Sequence, residues 1–139
     1  MIAPKFKRSA GVLLPISSLP SPYGIGCFSR DAENFAEMAA DMGFSWWQVL
    51  PITILGAGNS PYSGYSTHAG NFLYINPMLL HHEGLLTAEE VEAAKYGGQP
   101  YKGDYAFARE NIKRVLRIAF RRIPPEVPER EAAFWRGEG

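Results

Sequence analysis

The densest group of residues able to do chemistry in this sequence is Asn59-Ser60-Pro61-Tyr62-Ser63-Gly64-Tyr65-Ser66. It sets two phenol rings, several hydroxyls and an amide in one short stretch. Sugars are bound by this mixture, because their C–H faces stack on aromatic rings and their hydroxyls exchange hydrogen bonds with polar side chains. The same residues also suit a rigid loop whose hydroxyls cap neighbouring backbone. The residues alone leave both readings open.

Other groups carry less. Trp46-Trp47-Gln48 reads as strand, so the two indoles face opposite sides, and core packing is expected for both. Gln48, near the strand's end, could reach a ligand. His81 and His82 are neighbours that point apart and His68 stands alone, with no cysteine or carboxylate at ligand spacing, so no metal site is expected. Gly24-Ile25-Gly26 lacks the third glycine of a dinucleotide loop. Glycoside chemistry needs two carboxylates flanking one bond. Asp31, Glu33, Glu37 and Asp41 lie on a helix instead, and no acid sits at an expected strand end. Cys27 reads as a small buried residue, since no base is evident beside it.

The elements that must position these residues follow from pattern. Gly11 to Ile16 is an unbroken apolar run, as suits a strand buried on both faces of a parallel sheet. Ser17 to Gly26 is rich in turn formers and reads as a loop. A helix is expected over Asp31 to Met42, with Phe35, Met38, Ala39 and Met42 on its apolar face, Ser29 as N-cap and Gly43 as its stop. Ser45 to Leu50 reads as a second strand, ended by Pro51. Strand, helix, strand implies parallel strands with a right-handed crossover. The loop from Ile52 to Asn71 follows the C-terminal end of that second strand, which is the ligand side of barrels and of open α/β sheets.

Beyond it, Phe72 to Ile75 reads as extended, Pro77 to His82 as a helical turn, and Ala88 to Lys95 as a helix opened by the capping box Thr87-Ala88-Glu89-Glu90. Gly97-Gly98-Gln99-Pro100 is a break. Asp104 to Ile123 is the strongest helix, with Tyr105, Ala108, Ile112, Val115, Leu116, Ala119, Phe120 and Ile123 in one stripe. Arg109, Lys113, Arg114, Arg117 and Arg121 read as its solvated outer face. Pro124-Pro125 ends it.

The chain has 139 residues, 46% of them hydrophobic, which allows a real core but not a complete (β/α)8 barrel of about 250 residues. Basic and acidic residues balance at 14 each, so neither nucleic acid nor a membrane surface is implied as partner. No secretory signal and no membrane-length apolar run is visible. The single cysteine excludes an internal disulfide, and a cytoplasmic setting is the expectation.

Three segments together resemble the 4-alpha-glucanotransferase (amylomaltase, or disproportionating enzyme) family. They are Arg8 to Pro15 running on through Ser18 to Gly26; Trp46-Trp47-Gln48-Val49-Leu50-Pro51; and Asn59-Ser60-Pro61-Tyr62 with Ser66 and Ala69-Gly70-Asn71. A weaker match continues through Gly84-Leu85-Leu86 and Asp104-Tyr105. The resemblance implies an α/β fold, the N-terminal portion of a (β/α)8 TIM barrel: first βαβ unit, long sugar-site loop and helical insertion. It implies transfer of α-1,4-glucan segments to the 4-hydroxyl of glucose or another glucan, by retaining double displacement on an aspartate with a glutamate as acid and base. No cofactor is required.

Tyr62 matches the family's donor-site tyrosine, and Ser60 shares its turn; both are expected to bind substrate. The nucleophile, the acid/base and the stabilising aspartate fall on later strands, so no catalytic residue is expected before residue 139. Ser63-Gly64-Tyr65 departs from the Gln-Ser pair that often follows the tyrosine, and Ala57 stands where some members carry an aromatic residue. Residues 1–76 are read as the βαβ unit with the substrate loop, 77–123 as the helical insertion and 124–139 as a linker to the rest of the barrel. That remainder is expected in cis or as a separate chain. The expected activity of this chain alone is nil. A non-catalytic carbohydrate-binding or interaction module is the alternative.

Overall fold

The computed structural model describes residues 8–99 and 101–127. Its frame is one parallel strand pair. Strand β1 (Gly11–Leu13) lies beside β2 (Trp46–Gln48), with Gly11 opposite Trp46, Val12 opposite Trp47 and Leu13 opposite Gln48. Hydrogen bonds from Ser45 N to the Ala10 carbonyl and from Leu14 N to the Gln48 carbonyl extend the pairing by one step at each end. Pro15 then stops β1, because proline has no N–H to donate.

The strands are shorter than the apolar runs that announce them, and they are not buried on both faces. Leu13 and Trp46 are 55% and 68% exposed. Two strands cannot cover each other's faces; that takes further strands and helices packed on both sides. Trp47, on the opposite face from Trp46, does enter the core. Its ring meets Phe35 edge-on at 4.9 Å, and its Nε1 donates to the Leu14 carbonyl at 2.9 Å. The Nε1 of Trp46 instead donates to Ser9 Oγ, outside the core.

The crossover runs through a packed segment rather than a surface loop. Ile16–Ser18 forms a 3-10 turn, and Ile16, Leu19, Tyr23, Ile25 and Cys27 are buried. A hydrogen bond from Gly26 N to the Ser17 carbonyl closes the segment on itself. The backbones approach so closely there that a Cβ on Gly26 would collide with the Ile16 carbonyl.

Helix α1 (Arg30–Asp41) begins at Ser29, whose Oγ accepts from Asp31 N, and Gly43 follows it with φ +86°, a conformation glycine takes without strain. Its inward stripe is buried Ala32 and Ala39 with half-buried Phe35 between them. Met38 and Met42, expected inside, are exposed. They lie to one side of that stripe, where no described element covers them.

Residues 52–71 are not structureless. Thr53 bridges Gly70, Ile54 N donates to the Ala69 carbonyl, and Asn71 N donates to the Ile52 carbonyl. The loop therefore stands on a short antiparallel stem and carries a 3-10 turn at Ala57–Asn59. Phe72–Tyr74, expected as extended, is also a 3-10 turn, because the Asn71 side chain caps it by accepting from Leu73 N.

Helix α2 (Pro77–His82) is capped by Asn76, and α3 (Ala88–Glu92) carries the expected capping box between Thr87 and Glu90. Helix α4 (Tyr105–Phe120) is capped by Asp104 and ends before the two prolines, which disfavour helix in the residues preceding them. It buries Ala108, Asn111, Ile112, Val115 and Ala119, while Phe120 is exposed. Asn111 is a polar residue within the stripe. Its Nδ2 donates to the Ala94 carbonyl at 2.6 Å, which anchors the end of α3 against α4. Arg122 makes a two-pronged ion pair with Glu90 on the same joint. Pro100 and residues 128–139, the greater part of the segment expected as a linker, lie outside the described residues.

Candidate functional site

Both strands point their C-terminal ends toward the same place. Pro15, two residues past β1, and Leu50, two past β2, line a cleft of about 180 Å³. Ser17, Ser18, Leu55, Asn59, Pro61, Tyr74 and Tyr105 complete it. The wall mixes proline and leucine side chains with hydroxyls, two tyrosine rings and one amide, and none of these lining residues is an acid.

Tyr74 is buried, and burial together with the neighbouring Tyr105 raises its phenol pKa above the usual value, so it is a neutral donor at ordinary pH. A second depression of about 320 Å³ continues past Ser17, Ser18 and Tyr105 to Tyr101, Gly24 and Gly103.

The rim of this cleft is the turn that carries Tyr62. Ser60 Oγ accepts a hydrogen bond from Tyr62 N at 3.3 Å, so Ser60 shapes the backbone that presents the tyrosine. Tyr62 and Tyr65 are 76% and 79% exposed, with their ring faces open for contact. Ser66 Oγ accepts from both His68 N and Ala69 N and tightens the descending arm. At Gly56 the two arms touch, since a Cβ there would collide with the Ser63 carbonyl.

The tip bends through Gly58 and Asn59, with φ +71° and +58°. Asn59 is the single non-glycine residue in the left-handed region among the described residues. Asparagine tolerates this conformation better than most residues. Its side chain is also held from outside: Arg109 Nη2 on α4 donates to Asn59 Oδ1 at 3.0 Å. Arg109, read from sequence as part of a solvated outer face, therefore reaches back across fifty positions to the loop. Tyr105 and Arg109, four apart on one side of α4, both serve the site. That spacing was a signal in the sequence, but the loop partner was not.

The remaining candidates take other roles. Gln48 is exposed at the end of β2 and does not line the cleft. His81 Nδ1 lies 2.8 Å from the Leu86 carbonyl, so this histidine ties the α2–α3 connection. Cys27 is buried against Ser21, and burial pushes its thiol pKa up, away from a reactive thiolate.

A parallel strand pair with its loops gathered over the C-terminal ends puts this cleft where α/β folds of this kind bind their ligands. The comparisons with known proteins are specific. The family model for 4-alpha-glucanotransferase matches residues 14–136. A 4-alpha-glucanotransferase from Aquifex aeolicus is 40% identical over 133 residues, covering 92% of this chain and 27% of that protein. One from Thermus thermophilus is 35% identical over 127 residues, covering 91% and 25%. The structure of amylomaltase from Streptococcus agalactiae in complex with acarbose superposes with a TM-score of 0.85 at 34% identity, covering 95% of this chain and 27% of that one.

The chain belongs to the 4-alpha-glucanotransferase family. It has the fold of part of an amylomaltase, as the resemblance implied, and spans about a quarter of the length of these relatives.

Proposed function

We propose that the protein acts as part of a 4-alpha-glucanotransferase, which transfers α-1,4-glucan segments to the 4-hydroxyl of glucose or another glucan by retaining double displacement. In this reading the chain supplies one wall of the donor site. Tyr62 stacks on a sugar ring and Ser60 holds the turn that presents it. The nucleophile, the acid/base and the stabilising aspartate come from the remainder of the barrel, in cis or as a separate chain. Residues 1–76 serve as the βαβ unit and substrate loop, 77–123 as a helical insertion and 124–139 as a linker. The setting is cytoplasmic.

The observation that carries this reading is the cleft at the C-terminal ends of two parallel strands, rimmed by an exposed tyrosine turn and lined without any acid. Its tyrosines, hydroxyls and amide suit sugar binding, and the two carboxylates that glycosyl transfer needs are not among its lining residues. A family relative solved with acarbose supports a saccharide ligand. The same lack of acids favours the alternative, a carbohydrate-binding or interaction module without catalysis.

Incubating the chain with maltotriose tests the reading. No glucose is expected from the chain alone, and robust turnover would sink the proposal. Titration with maltoheptaose then examines the wall itself. Binding is expected, and Tyr62→Ala should weaken it about tenfold, the cost of losing one good aromatic stacking contact. Equal affinity of parent and variant removes Tyr62 from the site.

A further inference from the structure

We infer that Arg109 is the positioning residue of the Tyr62 turn, setting the height and angle at which that tyrosine meets a saccharide. The inference rests on the proposed sugar-binding role of Tyr62 and adds a second residue, on a different element, to the same site.

Three observations carry it. First, the turn bends at Gly58-Asn59, and Asn59 alone among the described non-glycine residues takes a left-handed backbone. A conformation of that kind persists where surrounding contacts over-determine it. Second, the Asn59 side chain is fixed by the Arg109 guanidinium at 3.0 Å, a hydrogen bond with a charged donor and therefore stronger than a neutral one. Third, the two partners sit on different elements. The turn's own hydrogen bonds are local, from Asn59 N to the Gly56 carbonyl, from Tyr62 N to Ser60 Oγ and from Ser63 N to the Ser60 carbonyl, and none of these reaches outside the loop. Arg109 instead projects from the second turn of α4, whose Ala108 and Ile112 are fully buried in the main core. It ties the tip of the turn to a helix packed in the core.

Asn59, Pro61 and Tyr105 share the cleft wall, so a shift of the turn also reshapes the cleft. Glu110, the acid adjacent to Arg109, pairs with Lys113 and leaves the guanidinium to the loop.

Positioning and folding make different predictions. Chymotrypsin cleaves after accessible tyrosines, so limited digestion of the 139-residue chain reads the order of the turn at Tyr62 and Tyr65. Arg109→Ala should speed cleavage there several-fold while leaving the urea midpoint of the chain close to the parent's. Arg109→Lys should recover part of the protection, since an ammonium can still donate to Asn59 Oδ1. Asn59→Gly, which keeps the left-handed backbone and removes the amide, should speed cleavage at least as much as Arg109→Ala. Adding Arg109→Ala to it should change nothing further, because the bond is already lost.

For the site itself, Arg109→Ala should lower maltoheptaose affinity about tenfold where Tyr62 is present, and leave it unchanged in the Tyr62→Ala background. An equal loss in both backgrounds, or unaltered digestion of Arg109→Ala, overturns the inference. Altered digestion in a chain whose parent binds no maltoheptaose separates the two claims. The turn is then held by Arg109, and the sugar reading is what fails.

Discussion

Single residues here divide by what their surroundings permit. Cys27 and Tyr62 are both reactive in principle, yet one is sealed and the other displayed. The buried thiol of Cys27 has a raised pKa, so it should resist dithionitrobenzoate in the folded chain and react at once in urea. Stopped-flow absorbance checks this, and rapid labelling without denaturant would show that the packing around Tyr23 and Cys27 is open. The sequence reading of Cys27 as a small core residue needed only its isolation from any base. Arg109 shows the opposite case. Its residue type matches Lys113, Arg114 and Arg117 on α4 and Arg121 just past it, and its one distinguishing feature in the sequence is the four-residue spacing from Tyr105. Only the fold reveals that one of the five meets Asn59. Trp46 likewise looks like Trp47 on paper, and the two differ only in which face other elements cover.

Elements were legible where their punctuation is chemical. Ser29 and Thr87, read from sequence as caps, cap α1 and α3 through their own side chains. Asn76 and Asp104 cap α2 and α4 in the same way, Asp104 standing just before the helix it was expected to begin. Helices α3 and α4 end at Glu92 and Phe120, three residues short of the expected Lys95 and Ile123. The 3-10 turn at Phe72–Tyr74 was missed because its apolar residues mimic a strand, whereas the deciding group is the Asn71 side chain before it.

The joint between α3 and α4 supports a pH prediction. Hydrogen bonding to Arg122, and then to the Thr87 backbone, lowers the Glu90 pKa from the ordinary 4.5 to about 2. The unfolded carboxylate takes up its proton first as pH falls. The stabilising contribution is thus whole above about pH 4.5 and is lost as pH falls toward 2. Urea midpoints measured across that window should decline in the parent, with a shallower slope in Glu90→Gln. Identical slopes would remove Glu90 from the account. The pair is partly exposed, so its contribution at neutral pH is small.

At the scale of the molecule, the order strand, helix, parallel strand was readable from periodicity, but the coverage of the sheet was not. Apolar runs such as Gly11 to Ile16 report a need for burial without saying what supplies it. In this chain the need goes partly unmet: Leu13, Trp46 and Val49 are exposed along the strand pair. Strand edges with uncovered apolar neighbours pair readily with other chains. The 139-residue chain should therefore self-associate as its concentration rises, and Trp46→Lys should suppress this. Sedimentation velocity over a hundredfold concentration range checks the expectation; a monomer throughout would mean that the sheet tolerates its exposure.

The stem beneath the tyrosine turn has a consequence for how such a protein changes over time. Because Thr53 and Gly70 are joined across its base, the ends of the excursion are set before the tip begins. Residues at the tip can be exchanged, lengthened or shortened without moving β2 or the helix that follows. Tyr65 sits in that stretch, exposed between the two arms. Substrate preference can drift there while the framework stays as it is, and the stem is where a foreign tip should be grafted.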